Sequence, residues 1–236
     1  MAVHIFATGT SRGIGEAIVE RFRRENVRVI GHRSAEAADD IVAADLCDPT
    51  APHRIWDLAL ARLDGRIDVL INNAGIFEAA SIDAPDAAWT DAWNRTMQIN
   101  LTASAELCRL AVLHFRHHGG RRIVNIASRA AYRGDSPSHW HYAASKAGMV
   151  AMTKTIARGY AAESIYAFAV CPGFTMTGMA EDYLASRGGD KLLADIPLGR
   201  VAEPAEIADT VKFLALDAPP SMTGAIIDLN GASYVR

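Results

Sequence analysis

Val3-His4-Ile5-Phe6-Ala7-Thr8-Gly9-Thr10-Ser11-Arg12-Gly13-Ile14-Gly15 is the stretch from which the fold can be read. Val3 to Ala7 is apolar and β-favouring, the composition of a strand. Thr8 to Gly15 is a glycine-rich turn. Beyond it, Ile14, Ala17, Ile18, Val19 and Phe22 recur at helical spacing, with Glu16, Glu20, Arg23, Arg24 and Glu25 mostly on the other side. That pattern predicts a helix running through Glu25. A second strand, Val27 to Gly31, follows at the distance of a strand–helix–strand unit. Glycines let a backbone approach a pyrophosphate, and a helix N-terminus offers unpaired N–H groups and the positive end of a dipole. The position after a strand and before a helix predicts a dinucleotide site at Gly9, Ser11, Arg12, Gly13, Ile14 and Gly15, although the glycine spacing departs from G-x-G-x-x-G. The alternative is an ordinary glycine-rich turn.

The remainder repeats the same alternation. Strand-like runs fall at Ile41 to Ala44, Val69 to Ile71, Arg122 to Ala127, Tyr166 to Cys171 and Ala225 to Leu229. Helix-like runs fall at Pro52 to Leu63, Met97 to His118, Tyr142 onward and Pro204 to Leu216. Such alternation predicts an α/β fold, a doubly wound parallel sheet with helices on both faces. The chain has 236 residues, 50% hydrophobic and 22% charged, which fits one domain over residues 1–236 with a large core. A net charge of −3 supplies no broad basic field, so neither nucleic acid nor an anionic membrane is an expected partner. No apolar run is long enough to span a bilayer. Three scattered cysteines, Cys47, Cys108 and Cys171, fit reduced core positions better than disulfides or metal ligands. His114, His117 and His118 have helical spacing but no evident acidic or cysteine partner, so no metal site is expected. With no leader ahead of the first strand, the expected location is cytoplasmic.

The chemistry-bearing residues fall at the C-terminal ends of these strands, where open α/β sheets bind ligands. The second strand ends in Arg33-Ser34 rather than in an acidic residue. A guanidinium and a hydroxyl there suit a 2′-phosphate, with Arg12 as a third contributor, so NADP(H) is favoured over NAD(H). Asp45-Leu46 ends the third strand; Asp45 can accept from an adenine amino group or cap its own turn. Asn72-Asn73-Ala74-Gly75 suits a loop running beside a cofactor. Asn100 is a lone amide between Ile99 and Leu101, suited to a helix kink, a water or solvent. Ser128 can donate to a substrate oxygen or close a turn, and no G-x-S-x-G elbow makes it a hydrolase nucleophile. Pro172-Gly173, Thr175 and Thr177 can hold an amide ring, and residues 175–200 read as a lid over the binding site. Tyr142 and Lys146 stand four residues apart, hence on one helix face. An ammonium beside a phenol lowers its pKa from about 10, giving a tunable proton donor.

In their order, Thr8-Gly9…Gly13-Ile14-Gly15, Asn72-Asn73-Ala74-Gly75, Asn100, Ser128, Tyr142…Lys146 and Pro172-Gly173 resemble the short-chain dehydrogenases/reductases. The likeness is to the 3-oxoacyl-carrier-protein-reductase-like branch and covers essentially the whole chain. It implies a Rossmann-type seven-stranded sheet ordered 3-2-1-4-5-6-7. It implies that Tyr142 exchanges a proton with the substrate oxygen, that Lys146 lowers its pKa and binds the nicotinamide ribose, that Ser128 bonds the carbonyl, and that Asn100 holds a water. The implied activity is reduction of a ketone, such as a 3-oxoacyl thioester, to a secondary alcohol. The alternatives are an alcohol dehydrogenase of the same family acting on a small, cyclic or sugar alcohol, and a non-enzymatic dinucleotide sensor. The implied assembly is a homotetramer. Some positions depart from the branch: Ser128 and Tyr142 are one position further apart than usual, Phe168 replaces a frequent Asn, and Gly119 and Glu163 stand where basic residues are common. An acidic Glu163 repels an acidic carrier protein, so a carrier-protein partner is not expected.

Overall fold

β1 (Val3–Ala7) pairs in parallel with β2 (Val27–Arg33) on one side and with β4 (Val69–Asn72) on the other. The structure, a computed structural model, describes residues 2–119, 121–176 and 193–236. β3 (Ile41–Ala43) extends the sheet beyond β2, while β5 (Arg121–Ile126), β6 (Ile165–Pro172) and β7 (Ile226–Leu229) extend it beyond β4. The order is β3-β2-β1-β4-β5-β6-β7, every pair parallel. The chain winds outward one way from β1 and then returns to wind the other way. That reversal opens a crevice at the C-terminal ends of β1 and β4.

Alternation along the strands divides the core between two faces. Phe6 points into a layer with Trp56 of α2 (Ala51–Arg62), Leu107 and Phe115 of α4 (Ala103–His118), and Ala157 of α6 (Trp140–Tyr160). Its neighbours Ile5 and Ala7 point the other way, onto Ile18 and Phe22 of α1 (Gly13–Phe22) and Ile207 of the helix Pro204–Lys212. Phe6, Phe22, Phe115 and Phe168 have no exposed surface. Each such burial contributes roughly 1.5–3 kcal/mol. Phe168, read from the sequence as a departure, is thus a core residue of the second layer.

Three local differences from the sequence expectation matter. A helix at Asp86–Met97 (α3) precedes the expected Met97–His118 helix, and the two are joined by a wider π-type turn over Gln98–Thr102. α1 stops at Phe22 rather than Glu25, and α6 starts at Trp140, two residues before Tyr142. Between Ser128 and α6 lies one helical turn, α5 (Ala130–Arg133); the helix Pro204–Lys212, α7, is the last of the α-helices in the chain. α7 opens on a capping box in which Glu203 N–H donates to Glu206 Oε2 at 2.7 Å. Among the described residues no helix is long and apolar enough to cross a membrane.

Candidate active site

α6 packs against β6 and β5 and carries Tyr142, Ser145 and Lys146 on neighbouring turns. Lys146 is 4% exposed, and its Nζ donates to Ile126 O at 2.8 Å, the last residue of β5. Two residues on, the Ser128 side chain hydrogen-bonds the Tyr142 hydroxyl and accepts from Ala130 N–H at 3.1 Å. The Lys146 Nζ lies 5.8 Å from the Tyr142 ring centroid. Asn100 is fully buried within the π-type turn. Its Oδ1 accepts from Ile76 N–H at 2.8 Å and its Nδ2 donates to Ile76 O at 2.9 Å, which clamps the loop after β4. Gly75 shows how close these groups are: a Cβ there would lie 3.4 Å from Asn100 Oδ1 and 3.5 Å from Lys146 Nζ. Asn100, Ser128, Tyr142 and Lys146, distant in sequence, are therefore one constellation.

The protonation balance differs from the sequence expectation. Burial pushes the Tyr142 phenol up to about 12, against the pull of the Ser128 hydrogen bond. Burial also pushes the Lys146 ammonium down to about 8. Burial is the largest influence on the phenol, while the ammonium lies over its ring, 5.8 Å from the centroid, and is bonded to Ile126 O.

The glycine turn is held from both sides. Thr8 Oγ1 accepts from Asn73 N–H and Ala74 N–H at 3.1 and 3.0 Å, and Asn73 Nδ2 donates to Thr8 O and Gly9 O at 3.1 and 2.8 Å. Asn73 and Ala74 thus buttress the turn. Gly9 and Gly15 pack so closely that a Cβ on Gly15 would lie 2.0 Å from Gly9 O. On the other side, Gly9 N–H donates to His32 Nδ1 at 3.3 Å while His32 Nε2 bonds Ala44 O at 2.9 Å. No side chain caps α1, so the N–H groups of its first turn remain available to an anion. Ser11, Arg12 and Ser34 are exposed around this turn, Gly13 and Ile14 are half-buried, and Arg33 Nε is buried without a hydrogen-bond partner among the described residues. These features fit a nicotinamide dinucleotide bound at the turn.

Other expected contacts are placed less directly. Asp45 is exposed and accepts from Cys47 N–H at 2.9 Å, closing its own turn, and Leu46 is buried in the core. Gly173 N–H donates to Leu229 O at 2.9 Å, and Pro172 O accepts from Arg129 N–H at 2.9 Å, fixing the turn after β6. Thr175 is buried and bridged to Ala202. Thr177 and most of the lid assigned to 175–200 lie outside the described residues. Sequence reasoning missed Thr8, His32, Ser145 and the Ile126 carbonyl. Ser145 had a signal, since it lies within the Tyr142–Lys146 stretch; it donates to Tyr142 O at 2.7 Å and lies 3.4 Å from Asn100 Nδ2.

Residues 9–231 match a family model described as Enoyl-(Acyl carrier protein) reductase. The chain is 34% identical to a 3-oxoacyl-[acyl-carrier-protein] reductase of Thermotoga maritima, covering 97% of this chain and 96% of that protein. It is 34% identical to a cis-4-hydroxycyclohexanecarboxylate dehydrogenase of Sinomonas cyclohexanicum, covering 95% and 93%. It is 32% identical to an acetoacetyl-CoA reductase of Rhizobium meliloti, covering 96% of each. With the sheet order and the full-length match together, the chain belongs to the short-chain dehydrogenase/reductase family of oxidoreductases, in its 3-oxoacyl-carrier-protein-reductase-like branch.

Proposed function

We propose that this oxidoreductase reduces a small-molecule ketone to a secondary alcohol with NADP(H), Tyr142 giving its proton to the carbonyl oxygen. The observation that carries this is the convergence of the Ser128 and Tyr142 hydroxyls beside Lys146 and Asn100. A bound nicotinamide would supply the hydride, or take it in the reverse direction. The chain's own part is orientation and proton handling. Ser128 and Tyr142 hydroxyls together receive the carbonyl oxygen and stabilise charge developing there. A phenol near 12 stays protonated at neutral pH, the form that donates. Lys146, held by Ile126 O, keeps its ammonium over the Tyr142 ring, from where it would bind the nicotinamide ribose. Asn100 keeps the loop at Ile76 in place and retains capacity for a water next to Lys146.

Gly9, Ser11, Arg12, Gly13, Ile14 and Gly15 would hold the pyrophosphate. Arg33, Ser34 and Arg12 would hold the 2′-phosphate, and the orphaned Arg33 Nε supports NADP(H) over NAD(H). Asp45 and Leu46 would border the adenine; Asn73, Ala74 and Gly75, with Pro172, Gly173, Thr175 and Thr177, would flank the nicotinamide half.

A free substrate is favoured over a carrier-bound one. Glu163 is bonded to Arg116 through both carboxylate oxygens, at 2.7 and 3.0 Å, so Arg116 is already engaged and Glu163 adds an acidic group at that surface. An alcohol dehydrogenase acting on a compact cyclic substrate is the second reading. Phe77 stacks on His139 at 3.9 Å and meets Tyr142 edge-on at 4.8 Å, a flat wall beside the reacting hydroxyl. A screen of NADPH and NADH oxidation over acyl thioesters, acyclic ketones and cyclic ketones tests the assignment. NADPH is expected to be preferred, and Arg33→Asp to move that preference toward NADH by about tenfold or more. A wild-type preference for NADH that Arg33→Asp leaves unchanged would refute the cofactor assignment.

A further inference from the structure

Arg129 directly follows Ser128, and the chemistry above makes no use of it. Its N–H donates to Pro172 O at 2.9 Å, so it sits where β5 and β6 end, beside the place assigned to the carbonyl. The residue is 8% exposed, and its Nη1 is buried with no hydrogen-bond partner among the described residues. Buried guanidinium groups normally end on a hydrogen-bonded counter-ion, because an unmet charge out of water is costly. Here Asp195 approaches Nη1 only to 3.6 Å. The same Asp195 Oδ2 accepts a 2.8 Å bond from Arg133 Nη1, which also reaches Ser233 O at 3.2 Å. Two guanidiniums therefore share the Asp195 carboxylate, while Asp135 acts on Arg129 only through space, with no ion pair to it among the described residues. The Arg129 guanidinium also faces the Phe174 ring at 4.9 Å, an apolar side that keeps water from it. Burial and the neighbouring Arg133 lower the pKa of Arg129, against the opposing pull of Asp195 and Asp135.

We infer that Arg129 and Arg133 form a receiving site for a carboxylate on the substrate, so that the enzyme prefers oxo acids to their neutral analogues. This rests on the ketone-reductase reading above. A planar guanidinium with an unused donor suits a carboxylate, which accepts along the same plane. Asp195 competes for that position and repels the incoming anion, so its charge opposes binding.

The test uses 4-oxopentanoate, 5-oxohexanoate and 6-oxoheptanoate, each beside its methyl ester, with NADPH. At one chain length the acid should exceed its ester in kcat/KM by about tenfold or more. Arg129→Gln should bring that ratio near one, mainly through KM, and Asp195→Asn should raise it. An acid-to-ester ratio near one at every length would overturn the inference. So would an Arg129→Gln variant that loses both activities equally, or an Asp195→Asn variant with a lowered ratio. Calorimetric titration of the three acids into wild type and both variants gives a readout that needs no turnover. Binding that weakens in Arg129→Gln and strengthens in Asp195→Asn supports the site even if no ketone is reduced, a result that would fault the reductase reading instead. No binding of any acid to the wild type overturns the site. Arg129→Lys, which keeps the charge, covers a glutamine variant that fails to fold; it should retain part of the preference, and an unaltered ratio in it would count against the planar pairing.

Discussion

His32 shows how one side chain can govern the dinucleotide turn from behind. It joins Gly9 N–H to Ala44 O, which ties the glycine turn to the segment after β3. The geometry assigns the proton to Nε2 and leaves Nδ1 as acceptor. Burial lowers its pKa below the usual histidine value. The unfolded chain therefore takes up this proton first as pH falls, so stability is lost below about 6.5 and continues to fall toward the folded value. Protonation would also place a hydrogen on Nδ1 against Gly9 N–H. His32→Phe is expected to lower stability by about 1–2 kcal/mol, weaken dinucleotide binding and flatten the pH 5–7 stability profile. Thermal melts at several pH values check this, and an unchanged profile would count against it. The sequence shows the Tyr142–Lys146 pair because four-residue spacing alone puts two side chains on one helix face. It does not show His32, because both partners come from other segments and a lone histidine in a strand has no pattern.

The elements were legible to the degree that burial gave them a period. β1 to β7 and α1, α2, α4 and α7 carry apolar positions facing the sheet. α3 escaped because only Thr96 of it is buried, so its Trp89 and Trp93 stack on each other at 5.3 Å without an apolar stripe. The wider turn around Asn100 escaped because backbone hydrogen-bond register leaves no mark on composition; only the amide between two apolar residues hinted at it. At the opposite edge of the sheet, Asp68 fixes the start of β4 against β1 and β5. It accepts from His4 N–H at 2.9 Å, Arg66 at 2.8 Å and Arg121 at 3.1 Å. Burial alone would raise its pKa, but these donors more than offset it and hold the carboxyl below the usual value. Its contribution is therefore present at neutral pH and fades as pH falls through the folded pKa. Asp68→Ala should cost about 2–3 kcal/mol and lower Tm by roughly 5–10 °C, with dinucleotide affinity little changed. A melting temperature within about 1 °C of wild type would contradict this role.

The sheet order and the two helical layers place every candidate group except those beyond the described residues along one edge. On the outside, Leu113 of α4 is 42% exposed and Trp140 of α6 is 55% exposed, while β7 is an edge strand of partly exposed Ile226, Ile227 and Leu229. We propose that these surfaces pack in a homotetramer of two-fold symmetry. Sedimentation velocity should show a four-chain species at micromolar concentration, and a monomer would refute that assembly. Substrate choice was the least legible, because the side chains proposed to shape it, Phe77, His139 and Arg129, come from separate segments with no shared sequence pattern. The proton-donor assignment itself is open to a direct test with Tyr142→Phe, which removes one hydroxyl and leaves the ring against Phe77. NADPH binding measured by fluorescence titration should stay within about twofold of wild type, while ketone turnover should fall by about 10²–10⁴. Turnover within a few fold of wild type, at unchanged NADPH affinity, would contradict it.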